Sequence, residues 1–431
     1  MRPIVYDILR LFIGPSSATP RGIDRVDLAY AEYLFAHWPG EIAGVMPTPW
    51  GVRLYDRALV LRGLARLAGI WGETDEEDDG LSRIKAQLRG EVAPAMPSHS
   101  RGSPISRQWQ LIRTTGVPLG RSVREVRSDA LYLNVGQLGW AAPLAMGWLE
   151  RRPEIQVAVM LHDAIPIEHP LLVSRSGAAA HRQMMRVAAR HIDGLITTTE
   201  AARNSVVREL AARGAGTPRS LTLPLPLAPG FLAPDPPDPA LAALDYYVIC
   251  GAIEPRKNHL MLLQVWRRLV ELLGDRAPKL VVVGAAAQGA RPSLAAMAAL
   301  PGHVIHAGGL STPGLRRLIR SARALLMPSL AEGFGLPVQE ALALGTPVIA
   351  SDLRAHREIA AGLALLLAPD REQDWLDAIL ETRAGGGLRA PKGYQPMDAG
   401  RYFEAIAQWL TEFPLLPQNE DCGTKSSLQV S

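Results

Sequence analysis

One stretch of the sequence decides the fold: residues 328–351, which read PSLAEGFGLPVQEALALGTPVIAS. An apolar segment runs into this stretch and another closes it, and between them lie a glycine-rich turn and a short helix-forming segment. This order is typical of a unit in which a crossover helix joins two parallel strands. We therefore expect a doubly wound α/β domain that binds its ligand outside the carboxyl ends of the strands.

Two glutamates, Glu332 and Glu340, lie on either side of that turn. In one continuous helix they would be about 12 Å apart along the axis, too far to act as a pair. We expect residues 333–335 to break the helix, with Pro337 at its first position. Carboxylates accept hydrogen bonds from sugar hydroxyls, and glycines let a ligand approach the backbone. Capping of a helix by acidic residues near the positive end of its dipole explains the same sequence equally well.

A second loop in this half of the chain carries two adjacent cations. Residues 245–251, DYYVICG, predict a buried strand, and residues 258–274 predict a helix with Asn258 as N-cap and Gly274 as its stop. Arg256 and Lys257 lie between them, where helix amides and two positive charges would favour a diphosphate. The alternative is a strand-to-helix loop with two exposed basic residues.

The first half of the chain also alternates between apolar runs and helical segments, which predicts a second parallel sheet. Its strand-like runs are residues 3–12, 129–136, 154–163 and 191–200. His162 and Asp163 end one of these runs, so they are expected at the ligand-binding edge, although a histidine bonded within a turn is an equal alternative. Gly22 and Arg25, in TPRGIDRV, form a weaker candidate of the same kind.

The proline-rich residues 226–244 cannot sustain a helix or a central strand, so they are the predicted linker. We therefore expect an N-terminal domain at 1–225 and a C-terminal domain at 245–392. We further expect a closing helix within 393–416 and a disordered tail at 417–431.

The composition is that of a globular protein, with 48% hydrophobic and 20% charged residues among 431. No apolar run approaches the roughly 18 residues of a membrane span. Asp7 and Arg10 interrupt the apolar stretch that a signal peptide would need near the N-terminus. Two cysteines are too few for a disulfide scaffold, so a cytoplasmic location is expected.

The net charge of +4 is mild, but residues 82–128 carry nine basic residues against Glu91 and Glu125. A solvated surface explains this bias. A face for anionic lipid headgroups or a pyrophosphate-bearing acceptor, on the inner side of the plasma membrane, is the sharper hypothesis. Nucleic acid is not expected, because the segment lacks interleaved aromatic residues and any known binding module.

Taken together, the motifs RGIDRV, YLNVG, LHDAIPIEHP, EPRKN and PSLAEGFGLPVQEALALGTPVIAS resemble those of the retaining glycosyltransferases of family four. The resemblance is dense from residue 245 to about 369 and sparse before it. It is greatest to bacterial mannosyltransferases and related enzymes that build surface polysaccharides. It implies a GT-B fold, in which two Rossmann-like, doubly wound domains face each other across a cleft.

The resemblance also implies roles for the candidate residues. Arg256 and Lys257 would hold the donor diphosphate, and Glu340 would accept hydrogen bonds from the ribose. His162, with Asp163 beside it, would lie at the sugar on the opposite wall. Gly22 would line the cleft near the phosphates, with Arg25 close by. The donor sugar would be held by the loop made of Glu332, Gly333, Phe334, Gly335 and Leu336.

The implied activity is transfer of a hexose, by preference mannose from GDP-mannose, to a lipid-linked or polysaccharide acceptor. The resemblance implies no cofactor, and the sequence carries no DxD-type metal pair, so a metal-independent enzyme is expected. Some relatives have an arginine after the first glycine of the EPRKN loop, where this chain has Ala252. Two alternatives remain open: an inverting GT-B transferase with His162 or Asp163 as base, and a catalytically silent protein that only binds a sugar nucleotide.

Overall fold

The computed structural model describes residues 1–13, 22–48, 50–70, 79–91, 120–140, 143–233, 237–308, 310–386, 388 and 390–414. The strands are β1 Ile4–Asp7, β2 Ile42–Thr48, β3 Gly51–Asp56, β4 Arg121–Ser122, β5 Leu131–Asn134, β6 Gln156–Met160, β7 Gly194–Thr197, β8 Arg219–Thr222, β9 Tyr246–Cys250, β10 Lys279–Val283, β11 Val304–Ala307, β12 Leu325–Met327, β13 Val348–Ser351 and β14 Leu365–Leu367. The α-helices are α1 Leu9–Ile13, α2 Gly22–His37, α3 Arg57–Ile70, α4 Asp79–Arg89, α5 Pro143–Glu150, α6 Ile165–Glu168, α7 Arg175–His191, α8 Glu200–Ala211, α9 Pro239–Ala242, α10 His259–Leu273, α11 Arg291–Ala298, α12 Thr312–Ser321, α13 Leu336–Ala343, α14 Arg354–Ala360, α15 Glu372–Arg383 and α16 Ala399–Thr411.

The first half of the chain forms a sheet with the strand order β4-β3-β2-β1-β5-β6-β7-β8. Strands β2, β1 and β5 to β8 are parallel, while β3 and β4 add an antiparallel edge. The chain leaves β1 on one side to form β2 and later returns to its other side as β5. The topological switch point of this sheet therefore lies between β1 and β5.

The second sheet has the order β11-β10-β9-β12-β13-β14 and is parallel throughout the described strands. Its switch point lies between β9 and β12 by the same reasoning. Continuous apolar runs such as Tyr246–Cys250 form its central strands because helices cover both faces. The expectation of two doubly wound sheets is confirmed.

One strand prediction is wrong, and one strand was not predicted. Residues 3–12 do not form one strand, because β1 ends at Asp7 and the helix α1 follows. The Asp7 side chain causes this change of direction, since its Oδ1 accepts a hydrogen bond from the Leu9 amide at 2.9 Å. Residues 348–351 form β13, and a further strand, β14, pairs beyond it.

Helix α4 lies far from its sequence neighbours. It belongs to the first half of the chain, yet it packs on β11 and α12 of the second. Lys279 donates from its Nζ to the carbonyls of Gln87 and Leu88 at 2.9 and 2.8 Å, which satisfies the helix C-terminus. Helix α4 precedes residues 226–244 in the sequence but packs on elements that follow them. The domain boundary at 226–244 therefore remains a prediction.

The closing helix α16 packs back on α2 of the first half. The hydroxyls of Tyr30 and Tyr402 lie 2.6 Å apart in this contact, and the Phe403 ring meets both tyrosine rings edge-on. The tail predicted at 417–431 lies outside the described residues. Within the described ranges, no helix combines the length and the apolar character needed to cross a membrane.

Candidate active site

The predicted site residues of the second half lie in two loops at its switch point. One loop follows β9 and carries Arg256 and Lys257 in a short 3-10 helix, Pro255–Lys257. The other follows β12 and leads into α13. The amide of Leu330 donates to the Arg256 carbonyl at 2.7 Å, so the two loops are held together. Asn258 occupies the N-cap position of α10, but its side chain donates to the Pro369 carbonyl and does not cap the helix.

Glu332 joins the two cations into one buried cluster. Its Oε2 lies 2.9 Å from Arg256 Nη1 and its Oε1 lies 2.6 Å from Lys257 Nζ. The Ser329 hydroxyl donates to the same Oε1 at 2.7 Å. Arg256 also pairs with Glu254 at 2.8 Å. From the sequence, Glu332 and the two cations are separate candidates. In the structure they form a single ion-pair network.

The network fixes the charge of each member. Burial by itself would raise the pKa of Glu332, but the charges of Lys257 and Arg256 outweigh it and hold that pKa well below its usual range. Burial lowers the pKa of the Lys257 ammonium, and Glu332 opposes the shift. For Arg256, the carboxylates outweigh the effect of burial, so its pKa rises. The site therefore holds Lys257 and Glu332 away from bulk water, while Arg256, which also contacts Glu254, is partly exposed.

The glycines of the loop after β12 have two different functions. A Cβ on Gly333 would lie 2.6 Å from the His162 carbonyl oxygen and 2.9 Å from Asp163 Cβ, so only glycine fits. Its bare α-carbon allows the two halves of the molecule to touch, whereas the sequence suggested room for a ligand. Gly335 has a φ of +106°, a conformation that favours glycine, and α13 starts at the next residue.

His162 and Asp163 follow β6 and face this loop from the first half of the chain. Burial, with the positive charge of Arg10, lowers the pKa of His162 to about 4, so its ring is neutral at pH 7. Its buried Nε2 has no hydrogen-bond partner among the described residues. Burial raises the pKa of Asp163, and Arg256 opposes the shift. The structure thus brings both predicted residues to the edge where the ion-pair network lies.

The remaining candidates meet on the other side of the same loop. Gly22 opens α2, and a Cβ there would lie 3.1 Å from Leu336 Cδ1. Arg25 Nη2 lies 2.9 Å from Glu340 Oε1. Burial raises the pKa of Glu340, and the Arg25 charge opposes this shift. The N-termini of α2 and α13 therefore meet, which places the predicted ribose carboxylate next to a cation from the opposite half.

Two residues at this contact were not singled out from the sequence. Thr199 donates to the Gly333 carbonyl at 2.9 Å, and Glu358 accepts hydrogen bonds from the Glu200 and Ala201 amides. The run ITTTE before a helix indicates an N-cap threonine. No local pattern shows that the same hydroxyl reaches a loop 134 residues away.

A cavity of about 230 Å³ opens beside these loops. Both halves of the chain line it, with Asp163, Glu168 and Arg208 on one side and Glu332 and Arg354 on the other. The mixture of carboxylates and guanidinium groups suits a ligand rich in hydroxyls. Among the described residues, no group of three or more histidine, cysteine, aspartate or glutamate side chains is placed to hold a metal ion.

Residues 245–383 match the family model described as Glycosyl transferases group 1. The match covers about a third of the chain and lies within its second half. The sequence also resembles the O-antigen chain mannosyltransferase RfbU of Salmonella typhimurium, with 36% identity over 100 residues, 23% of this chain and 28% of that protein. O-antigen chain mannosyltransferase B of Escherichia coli is 31% identical over 132 residues, 30% of this chain and 34% of that protein. The matches thus span about a third or less of these relatives.

Solved structures resemble the molecule over nearly its whole length. The complex of Anabaena HepE with UDP-glucose has a TM-score of 0.59 at 14% identity and covers 95% of this chain and 100% of its own. Sucrose-phosphate synthase of Thermosynechococcus elongatus has a TM-score of 0.57 at 15% identity and covers 95% of this chain and 98% of its own. This likeness concerns the fold alone. The fold is GT-B, and the expectation from the sequence is confirmed.

Proposed function

We propose that the chain is a metal-independent, retaining hexosyltransferase that uses a nucleotide sugar as donor. The observation that carries this proposal is the ion-pair network of Arg256, Lys257 and Glu332 at the switch point of the second sheet. Its two cations are fixed before any ligand arrives, so they need little reorganisation to stabilise a leaving group that gains negative charge. The group 1 family match and the mannosyltransferase relatives support the same reaction class.

In this proposal Arg256 and Lys257 bind the donor diphosphate, and Glu332 holds both cations in place. The backbone of residues 333–336 and the neutral His162 ring contact the donor sugar. Glu340 accepts hydrogen bonds from the ribose, for which Arg25 has to give up part of its contact. Each assignment is supported by burial and by the meeting of the two halves at this loop.

The reaction breaks the bond between the anomeric carbon and the diphosphate oxygen. The acceptor hydroxyl attacks the same face of the sugar, and its proton passes to the leaving phosphate oxygen. Retention then needs no protein nucleophile. The chain contributes fixed positive charge at the diphosphate and hydrogen bonds that orient the sugar.

Mannose from GDP-mannose is the preferred donor, because both O-antigen relatives are mannosyltransferases by name. A lipid-linked or oligosaccharide acceptor of surface polysaccharide synthesis is the matching acceptor class. We further propose that the enzyme works in the cytoplasm and contacts the membrane peripherally. Within the basic segment 82–128, the exposed Arg124 supports this contact.

A panel of nucleotide sugars tests the proposal by thermal shift and by product analysis. At 100 times its Kd, the true donor is expected to stabilise the fold by about 2.7 kcal/mol. With an α-linked donor and a simple acceptor, the expected product has the α configuration. A β product would indicate the inverting alternative, and donor binding without transfer or hydrolysis would indicate the catalytically silent one. A panel without any stabilising sugar nucleotide would overturn the donor assignment.

A further inference from the structure

The N-terminus of α8 is completed by a residue from the other half of the molecule, Glu358. Thr199, the N-cap, accepts a hydrogen bond from the Ala202 amide at 3.0 Å. The preceding two amides donate to Glu358, from Glu200 at 2.7 Å and from Ala201 at 2.8 Å. A carboxylate is the favoured partner at a helix N-terminus. The first turn of α8 is therefore satisfied only while α14, which carries Glu358, lies against it.

Thr199 uses its single proton for a contact across the cleft. Its Oγ1 donates to the Gly333 carbonyl at 2.9 Å, and the side chain is buried. A hydroxyl has one hydrogen to donate and can accept as well, so both capacities of Thr199 are used. On the other side, Gly333 rests against the His162 carbonyl and Asp163. The loop after β12 is thus held between two loops of the first half.

This anchoring sets the direction of one backbone amide. A trans peptide is planar, so its carbonyl and its N–H point in opposite directions. Holding the Gly333 carbonyl on Thr199 therefore fixes the direction of the Phe334 N–H. Among the described residues, no backbone carbonyl accepts a hydrogen bond from that N–H. It is a donor held ready in the loop that the proposed function assigns to the donor sugar.

We propose that Thr199 is a positioning residue for the transferase reaction and that Glu358 supports it. The Thr199 hydroxyl orients the peptide between Gly333 and Phe334 when the two halves are closed on each other, and Glu358 holds the start of α8 in register with that loop. This inference rests on the proposed function and deepens it, because it names the groups that set the geometry of the donor loop without contacting the donor's reacting atoms.

Three substitutions separate this function from simple helix capping. Thr199→Asp keeps a good N-cap acceptor but cannot donate to the Gly333 carbonyl when ionised. Thr199→Ser keeps the hydroxyl and both bonds. Glu358→Gln weakens the support of α8. Glu200→Gln, which changes the exposed neighbouring carboxylate that pairs with Arg203, is the matched control.

The test is steady-state kinetics with the nucleotide sugar that the wild-type chain accepts, with thermal unfolding as the check of folding. We expect Thr199→Asp to lower kcat by about 10- to 100-fold, as is typical of misplaced catalytic geometry, with a smaller change in KM. Thr199→Ser and Glu200→Gln should stay within about twofold of wild type, and Glu358→Gln should lie between. Equal losses in the Ser and Asp variants, or unchanged turnover in a folded Thr199→Asp variant, would overturn the inference.

Small-angle X-ray scattering keeps this result distinct from a failure of the proposed function. A wild-type chain that turns over none of the nucleotide sugars would contradict the proposed function itself. In that case the double variant Thr199→Asp/Glu358→Gln is compared with wild type in solution. A larger radius of gyration in the variant supports the interdomain contact, and identical scattering curves contradict it.

Discussion

The two sheets have the same topology at their switch points, but their buried carboxyl groups have different partners. Between β9 and β12, Glu332 is held ionised by Arg256 and Lys257. Between β1 and β5, Asp7 accepts a hydrogen bond from the Tyr132 hydroxyl at 2.6 Å, and burial raises its pKa to about 6. Asp27 accepts one from Tyr6 at 2.6 Å, and burial raises its pKa to about 8.

The difference shows how one topology serves two purposes. Both crevices bury carboxyl groups, but Glu332 contacts two cations in the second half, whereas in the first half Arg10 pairs with Asp24 at 2.7 Å. The crevice of the second half suits a diphosphate, whose charge the cations stabilise. In the first half, tyrosine hydroxyls donate to Asp7 and Asp27, and burial raises the pKa of both acids. The comparison shows that the carboxylate held by two cations, Glu332, lies in the second half of the chain.

Lys257→Met should remove one cation from the crevice of the second half and give the largest decrease in kcat. A buried methionine removes one of two fixed cations, and the loss of one such group typically lowers kcat by about 10²- to 10³-fold. Steady-state kinetics measures the effect, and circular dichroism checks the fold. Lys392→Met, at an exposed lysine outside the site, is the control. A folded variant with wild-type turnover would show that the network is not the diphosphate site.

Asp27→Asn tests whether the other crevice is held neutral. With a folded pKa near 8, against 3.8 unfolded, the native state binds more protons between these values, so the wild type loses stability as pH rises. The loss is roughly 1.4 kcal/mol per pH unit within that window. The free energy of unfolding of the variant, measured in urea from pH 5 to 8, should fall less steeply with pH. Asp370→Asn, at an exposed site, should keep the wild-type slope; equal slopes for all three proteins would mean that Asp27 is ionised.

Glu340→Gln sharpens the comparison at the edge where the halves meet. The amide keeps one acceptor oxygen but loses the charge that binds Arg25 and, by our proposal, the ribose hydroxyls. Hydrogen bonds to charged groups are worth about 1.5–3 kcal/mol, so we expect KM for the nucleotide sugar to rise about tenfold or more. Glu404→Gln, on the exposed face of α16, serves as control. An unchanged KM would remove Glu340 from the donor site.

Arg124→Glu addresses the basic segment and should give the smallest effect. Some basic residues of this segment already have acidic partners: Lys85 pairs with Asp238 and Arg121 with Glu125. Arg101, Arg107 and Arg113 lie outside the described residues. A basic residue near an anionic bilayer contributes about 1 kcal/mol, so binding to vesicles that contain anionic lipid should fall about fivefold. The measurement is cosedimentation, with Arg267→Glu on α10 as control. Equal binding of both variants would mean that Arg124 is merely solvated.

Much of the fold could be predicted from the sequence because the strands and helices of parallel α/β domains follow patterns that are visible in short stretches of sequence. The apolar run before Gly251, the cations at 256 and 257 and the stop at Gly274 all appear in the structure where the pattern predicts them. The strand β14 was missed, since Leu365–Leu367 is three residues long and half exposed. The change from strand to helix after Asp7 depends on one side-chain hydrogen bond, which an apolar pattern does not reveal.

The sequence by itself determined which residues would gather at the carboxyl edges, because strand ends and loop chemistry are local properties. Only the tertiary structure decided their partners. Glu332 pairs with cations 75 and 76 residues away, and the Thr199 hydroxyl reaches Gly333 across the cleft. The first contact depends on how two loops of the second half meet, and the other depends on how the two sheets face each other. Gly333 is an example. Its sequence context suggested space for a ligand, but in the structure that space is filled by contact between the two halves.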